Sequence, residues 1–461
     1  MEPFKYTEKQ PLEFTSGATT PTVNSKLFDM EAATTINQLA DLKQEFDTQV
    51  PEDQAGFDSK YSCFVMFCSF MNLLVIFGAF NAFGLFQEYY LNTLFSHEPA
   101  SKISWISTLS LTFTSFGGML ASPVISRIGI RPTLLIGSFI SGIGLFLASF
   151  CTHSIVLLSL TQGLIYGLGG GMVINPSILM STLWFSKYRD LSIGIVSSGS
   201  GFGGMVIGPI IQVTIKQLGI VWSLRVLSFI TLAVTGTTSF FLKARDKNFK
   251  PNNKKLFDLA LFVKPYTLFL CIGGFFTELS YIIVTLYFPA TAVSIGMTRS
   301  SASSTIMAFS AASGISRLLS GIFSKKFGPN VTLIASLILC CALVFSLWMP
   351  SYKSFAVYYT FIVINGFLGA LFYALVPVMV SNNYHVSQVS QVNAMIYLFY
   401  GFGSVVGIPV LGEMFDKIGH RTSYTSLIIL CGICYAFASC FGIAQYNYSR
   451  KYMPALKHGK I

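Results

Sequence analysis

From residue 63 onward the chain alternates long apolar runs with short polar breaks. The runs lie near 63–86, 104–125, 133–151, 154–183, 191–215 and 223–242, then near 266–289, 301–324, 330–349, 354–381, 391–412 and 425–446. A membrane-crossing helix needs about 20 such residues, and these runs are long enough to serve. A helix is expected for each, because it satisfies its own backbone where no water is available. The pattern therefore predicts an all-α membrane protein of twelve transmembrane helices, six on either side of a polar gap at 243–265.

Around these runs the spacing predicts a disordered, acidic cytosolic tail at 1–62 and a first six-helix half at 63–242. A basic cytosolic linker at 243–265, a second half at 266–446 and a cytosolic tail at 447–461 follow. Composition agrees: 52% of the 461 residues are apolar and only 11% charged, against about 25% charged in soluble proteins. The mean hydropathy is +0.62. This excludes a cytosolic enzyme and a disulfide-stapled secreted domain. The net charge of +11 would suit nucleic acid, but residues 1–62 carry −6 and the rest +17, set in short clusters between apolar runs. That is how membrane proteins place charge, and no nucleic-acid partner is expected. No N-terminal signal-peptide pattern is expected from Met1 to Ser62.

With both termini cytosolic, the inner side holds 17 Lys/Arg outside the N-terminal tail and the outer side 7. The inner set includes Arg127, Arg131, Lys187, Arg189, Lys325 and Lys326, and the bias supports that orientation. Ser126-Arg127-Ile128-Gly129 after span 2 is echoed by Ser324-Lys325-Lys326-Phe327-Gly328 after span 8. Two related six-span halves joined by a basic loop describe the major facilitator architecture, with a solute site near the midplane.

Several motif matches carry no chemistry. Gly199, Gly201 and Gly204 satisfy G-x-G-x-x-G, but inside an apolar span, where close helix packing is expected. Cys431 and Cys434 form a C-x-x-C without a second pair, and the five histidines are scattered. No metal site, cofactor or enzyme active site is expected. Polar residues deep in spans carry more information, since they are costly there and face the interior of a bundle. Ser310, Ser313, Arg317, Ser320 and Ser324 share one face of span 8. Glu278 sits near the middle of span 7, and Asn393, Tyr397, Tyr400 and Ser404 form a stripe on span 11. Asn81 and Asn175 add amides on spans 1 and 4. For Arg317 and Glu278 the alternatives are a functional site or a structural ion pair with each other.

One stretch carries a family likeness. It begins Trp184-Phe185-Ser186-Lys187-Tyr188-Arg189-Asp190-Leu191-Ser192 and continues Ile193-Gly194-Ile195-Val196-Ser197-Ser198-Gly199-Ser200. It resembles the Y-F-x-K-R-R-x-x-A-x-G-x-A-x-A-G-S pattern of the monocarboxylate transporters. Asn175-Pro176, Ser104-Trp105-Ile106-Ser107 and Arg127-Ile128-Gly129-Ile130-Arg131-Pro132 are similar to that family's N-P, S-W-I-S and R-x-G-x-R-P segments. The likeness covers residues 58–446. The family's opening motif is reduced to Asp58-Ser59-Lys60-Tyr61-Ser62-Cys63. Asn81 stands where proton-coupled lactate carriers hold a Lys, and Ser313 where they hold an Asp one turn before the span-8 Arg. Thr277-Glu278-Leu279-Ser280 and Gly401 to Pro409 are closer to fungal members that resemble riboflavin carriers.

The resemblance implies a secondary transporter of a small organic anion, working by alternating access in a fungal plasma membrane or a vacuolar one. Arg317 would clamp the anion, and Asn81, Asn175, Tyr397 and Tyr400 would shape its site. Glu278 is the candidate for proton coupling. Arg127, Gly129, Arg131, Lys187 and Arg189 belong to the conformational loops. A riboflavin-like solute, and a nutrient sensor that binds without moving its solute, are the alternatives. The coupling ion and the oligomeric state are left open.

Overall fold

The computed structural model describes residues 57–245, 258–297, 299–420 and 423–452. Residues 1–56 of the tail predicted to be disordered, most of the basic linker and the last nine residues lie outside them. Among the described residues, twelve helices cross the bundle. The first four are α1 (Lys60–Tyr89), α2 (Ala100–Ile128), α3 (Ile130–Ala148) and α4 (Tyr166–Trp184). The continuous stretch Arg189–Phe241 is long enough for two spans, and Gly219 breaks it. Its φ of 78° lies in the left-handed region that only glycine enters without strain. We name its arms α5 (189–218) and α6 (220–241). The second half holds α7 (Pro265–Ser294), α8 (Arg299–Phe327), α9 (Pro329–Leu343), α10 (Phe355–Asn383), α11 (Val386–Lys417) and α12 (Thr425–Tyr452).

Two boundaries differ from the sequence reading. α1 starts at Lys60 rather than 63, because Ser59 caps it: the Ser62 amide donates to Ser59 Oγ over 3.2 Å. α12 runs to Tyr452, into the stretch read as a tail. Ahead of α4, Ile155–Leu158 and the π-helical turn Ser159–Ile165 extend the same span.

The repeated loop is visible as backbone geometry. Gly129 ends α2 and starts α3 with φ of 92°, and Gly328 does the same between α8 and α9 with φ of 83°. Both residues turn the chain where a Cβ would be strained. The halves meet along two equivalent crossings, α5 on α8 and α2 on α11. Each pairs a helix of one half with the partner expected from a six-helix repeat.

Candidate functional site

The α5–α8 crossing is built from residues without side chains. A Cβ on Gly201 would lie 2.5 Å from the Gly314 Cα, and one on Gly194 would lie 2.8 Å from the Arg317 carbonyl oxygen. Gly199 abuts the α1 backbone at Phe70, and Gly204 faces Asn81 and Ser310. The glycine pattern is thus a helix-packing device, as its apolar setting predicts. The serine stripe of α8 is the matching surface: Ser320 meets Gly194, and Ser324 donates to the buried Asp190 Oδ2 over 2.8 Å.

Contacts between halves gather toward the end that carries the basic loops. On α5 they run from Tyr188 to Gly204, and on α8 from Ser310 to Lys325. On α2 and α11, Ser115 meets Gly401, Phe116 meets Phe402, and Met119 packs with Ala394 and Leu398. Toward the other end Gly84 of α1, Gly208 of α5 and Gly412 of α11 have nothing within 4 Å of where a Cβ would stand. Among the described residues, these contacts hold the two halves together toward the basic-loop end.

A polar cluster lies on α7, α8, α10 and α11. Arg317 and Glu278 are each only 7% exposed. Tyr373 of α10 stands between them: its hydroxyl donates to Glu278 Oε2 over 2.6 Å, and the Arg317 Cζ lies 5.1 Å from its ring centre. A guanidinium over an aromatic face is held electrostatically. The ion pairs among the described residues are Lys102–Glu98 and Lys417–Glu413, both exposed. Direct Arg317–Glu278 pairing, one of the two alternatives, is not formed. Arg317 Nε is buried without a hydrogen-bond partner, as are Tyr400 Oη and Asn393 Oδ1.

Tyr281, Tyr373, Tyr400 and Tyr397 form a chain of rings, with successive centres 5.0, 5.8 and 5.5 Å apart. Arg317 joins this chain at Tyr373, the ring its guanidinium lies over. Four predicted residues, Arg317, Glu278, Tyr397 and Tyr400, therefore share one cluster. Asn81 is exposed and lies beside Gly204 and Ser310, farther up the α5–α8 seam. Its Nδ2 donates to the Ser200 carbonyl over 3.3 Å. Asn175 is buried, and its Nδ2 donates to the carbonyls of Gly118 at 2.7 Å and Ser390 at 3.2 Å, tying α4 to α2 and α11. Its Oδ1 is left without a partner.

The loop residues divide. Arg189 crosses between halves, with Nη1 3.4 Å from the Ser381 carbonyl. Arg131 stays within the first half, its Nε donating to the Phe240 carbonyl over 2.5 Å. The Lys187 amide donates to Asp58 Oδ2 over 3.1 Å, which pins the start of α1. Arg127 is exposed beside the Gly129 turn. Sequence reasoning missed Tyr373, which sits in an apolar run with no polar partner at helical spacing. It also missed that Asp190 bonds across the seam, although Asp190 and Ser324 both stand in motifs at the basic-loop end.

Comparison with known proteins gives this geometry a family. The MFS transporter asaE of Aspergillus flavus is 28% identical over 376 residues, 80% of this chain and 81% of its own. The riboflavin transporter MCH5 of Saccharomyces cerevisiae is 26% identical over 83% of this chain and 77% of its own length. The solved structure of the proton:xylose symporter XylE shares the fold with a TM-score of 0.68 at 14% identity, covering 86% of this chain and 97% of that one. The Major Facilitator Superfamily model matches residues 63–270 and again 270–451, one match to each half. The two halves, their paired crossings and these matches agree, and the chain belongs to the Major Facilitator Superfamily of membrane transporters.

Proposed function

We propose that the protein moves a small, monocarboxylate-like organic anion across the membrane by alternating access, the two halves rocking about the cluster at Arg317. The observation that carries this reading is the state of Arg317. It is a permanently charged guanidinium, buried, resting on a ring, with Nε unpartnered and no carboxylate in ion-pairing range among the described residues. A buried charge in that condition is costly unless an anion completes it, and a carboxylate can accept two parallel hydrogen bonds from it. Tyr397 and Tyr400 would line the solute, Asn81 would meet it from the α5–α8 seam, and Asn175 would hold the site's frame through the two carbonyls it bridges. Arg127, Gly129, Arg131, Lys187 and Arg189 would serve the loops that part when the basic-loop end opens.

The bias of Lys and Arg supports placing that end, and both termini, in the cytosol. A fungal plasma membrane is the preferred location, with the vacuolar membrane as the second. Glu278 is the candidate for proton coupling, against simple movement down the solute gradient, which we favour. A riboflavin-like solute is the second reading, favoured by the similarity to the riboflavin transporter.

The test is counterflow in proteoliposomes, with radiolabelled short carboxylates and riboflavin offered in turn. Carboxylate exchange that Arg317→Gln removes would uphold the proposal. Exchange of riboflavin alone, untouched by Arg317→Gln, would move the assignment to the second reading. Binding without exchange would make the protein a sensor.

A further inference from the structure

We infer that the anion this site accepts carries its carboxylate on a planar aromatic body. The inference rests on the anion reading of Arg317 and adds the class of the attached group. Its basis is the make-up of the wall around that cation. Tyr373 lies against Arg317, and ring contacts join it to Tyr281 and, through Tyr400, to Tyr397; Tyr281, Tyr373 and Tyr397 come from three different helices and are only partly buried. Their rings, with Tyr400, form a connected series tilted steeply against one another, at 69°, 84° and 57°. Faces and edges are therefore both presented, the arrangement into which another flat ring fits by offset or edge-on contact.

The opposite wall lacks bulk. Gly118 comes within van der Waals reach of the Tyr397 ring, and Gly204 packs against the Asn81 amide. A two- or three-carbon acid anchored at Arg317 would leave most of these rings untouched. The Tyr373 hydroxyl is committed to Glu278, so Tyr373 offers its ring, while the Tyr400 hydroxyl adds one buried polar group without a partner to this aromatic wall.

The experiment compares 1-naphthoate with its saturated analogue, decahydro-1-naphthoate, by isothermal titration against the full chain in nanodiscs, with empty nanodiscs as the blank. The two acids share charge and carboxylate. The saturated one has at least as much apolar surface, so unspecific partition favours it and opposes the expected result. Ring contacts predict about tenfold tighter binding of 1-naphthoate, the sum of one or two aromatic pairs. Tyr397→Leu should shrink that preference severalfold, and Tyr397→Phe, which keeps the ring, should retain it. Equal affinity for the two acids in the unsubstituted protein overturns the aromatic class, whatever the variants do. It leaves the anion reading intact when Arg317→Gln weakens both acids. Affinities that Arg317→Gln leaves unchanged overturn the anion reading and this inference together, and binding of neither acid overturns the inference.

Discussion

Gly201→Ala should shift the protein away from the state that is closed at the basic-loop end. The added Cβ would meet backbone on α8, 2.5 Å from the Gly314 Cα and 2.9 Å from the Ser313 carbonyl carbon. Ordinary contact begins near 3.4 Å, so the helices must retreat by about 0.9 Å, and backbone cannot swing aside as a side chain can. Overpacking of this kind costs ~1–3 kcal/mol. If the cost falls only on the closed state, the ratio of open to closed at that end rises about 5- to 150-fold. Gly84→Ala is the control: it makes the same gain in helix propensity, but its Cβ meets nothing within 4 Å. The assay places a cysteine at Ser320, which is fully buried on the seam, in a background without other reactive thiols. It then measures labelling by an impermeant thiol reagent from the basic-loop side. Faster labelling with Gly201→Ala and not with Gly84→Ala is expected. Unchanged labelling in both would refute the claim that this contact sets the conformational balance.

Three further outcomes are expected. Arg317→Lys keeps the charge and loses the planar fork, so uptake of an anionic solute should fall about tenfold or more, a hydrogen bond to a charged group contributing ~1.5–3 kcal/mol; reduced surface expression with unchanged transport per molecule would make Arg317 structural instead. In proteoliposomes with an alkaline interior, a facilitator should bring the inside-to-outside ratio of the same ionic species close to one, after correction for protein-free liposomes. Protein-dependent accumulation that vanishes in Glu278→Gln would identify Glu278 as the coupling group. A tag at either terminus should be protected from protease in intact cells, and surface labelling of a C-terminal tag would overturn the cytosolic placement.

The span pattern was legible because lipid leaves the chain little choice. Helices must be apolar along their length, and the polar positions that survive mark the faces turned inward. For the same reason the α8 stripe from Ser310 to Ser324 could be read as one face, and it is the seam to α5. The role of an individual amide was not legible. Asn81 and Asn175 look alike in sequence, yet one is exposed with a single carbonyl partner on α5 and the other is buried and bound to two carbonyls on neighbouring helices. Tyr373 was hidden because its partners come from α7 and α8, far away in the chain. A related device also emerges only once the crossings are known. Gly201-Phe202-Gly203 on α5 and Gly401-Phe402-Gly403 on α11 are each followed by a proline, Pro209 and Pro409, at the same spacing. Phe202 packs on Gly314 across one crossing and Phe402 on Phe116 across the other.

These crossings are alike, but the chemistry between them is one-sided. The first half brings glycines and amides to the midplane, while Arg317, Glu278 and the tyrosines all belong to the second. That asymmetry explains how a guanidinium stays available inside a membrane protein. Had Glu278 bound Arg317 directly, the pair would be internally neutral and an incoming anion would have to displace a carboxylate. Tyr373 prevents this by meeting each charge with a different part of itself, the hydroxyl for Glu278 and the ring face for Arg317. The ring face is a weak partner for a cation, worth ~0.5–2 kcal/mol, and a carboxylate can outcompete it. Ser313, one turn before Arg317, completes the arrangement. The acid that proton-coupled lactate carriers hold at that position would supply a standing counter-charge, and a hydroxyl does not. With a serine there and a tyrosine between the two charged groups, Arg317 has no carboxylate in ion-pairing range among the described residues, which is the opening the proposed anion would fill.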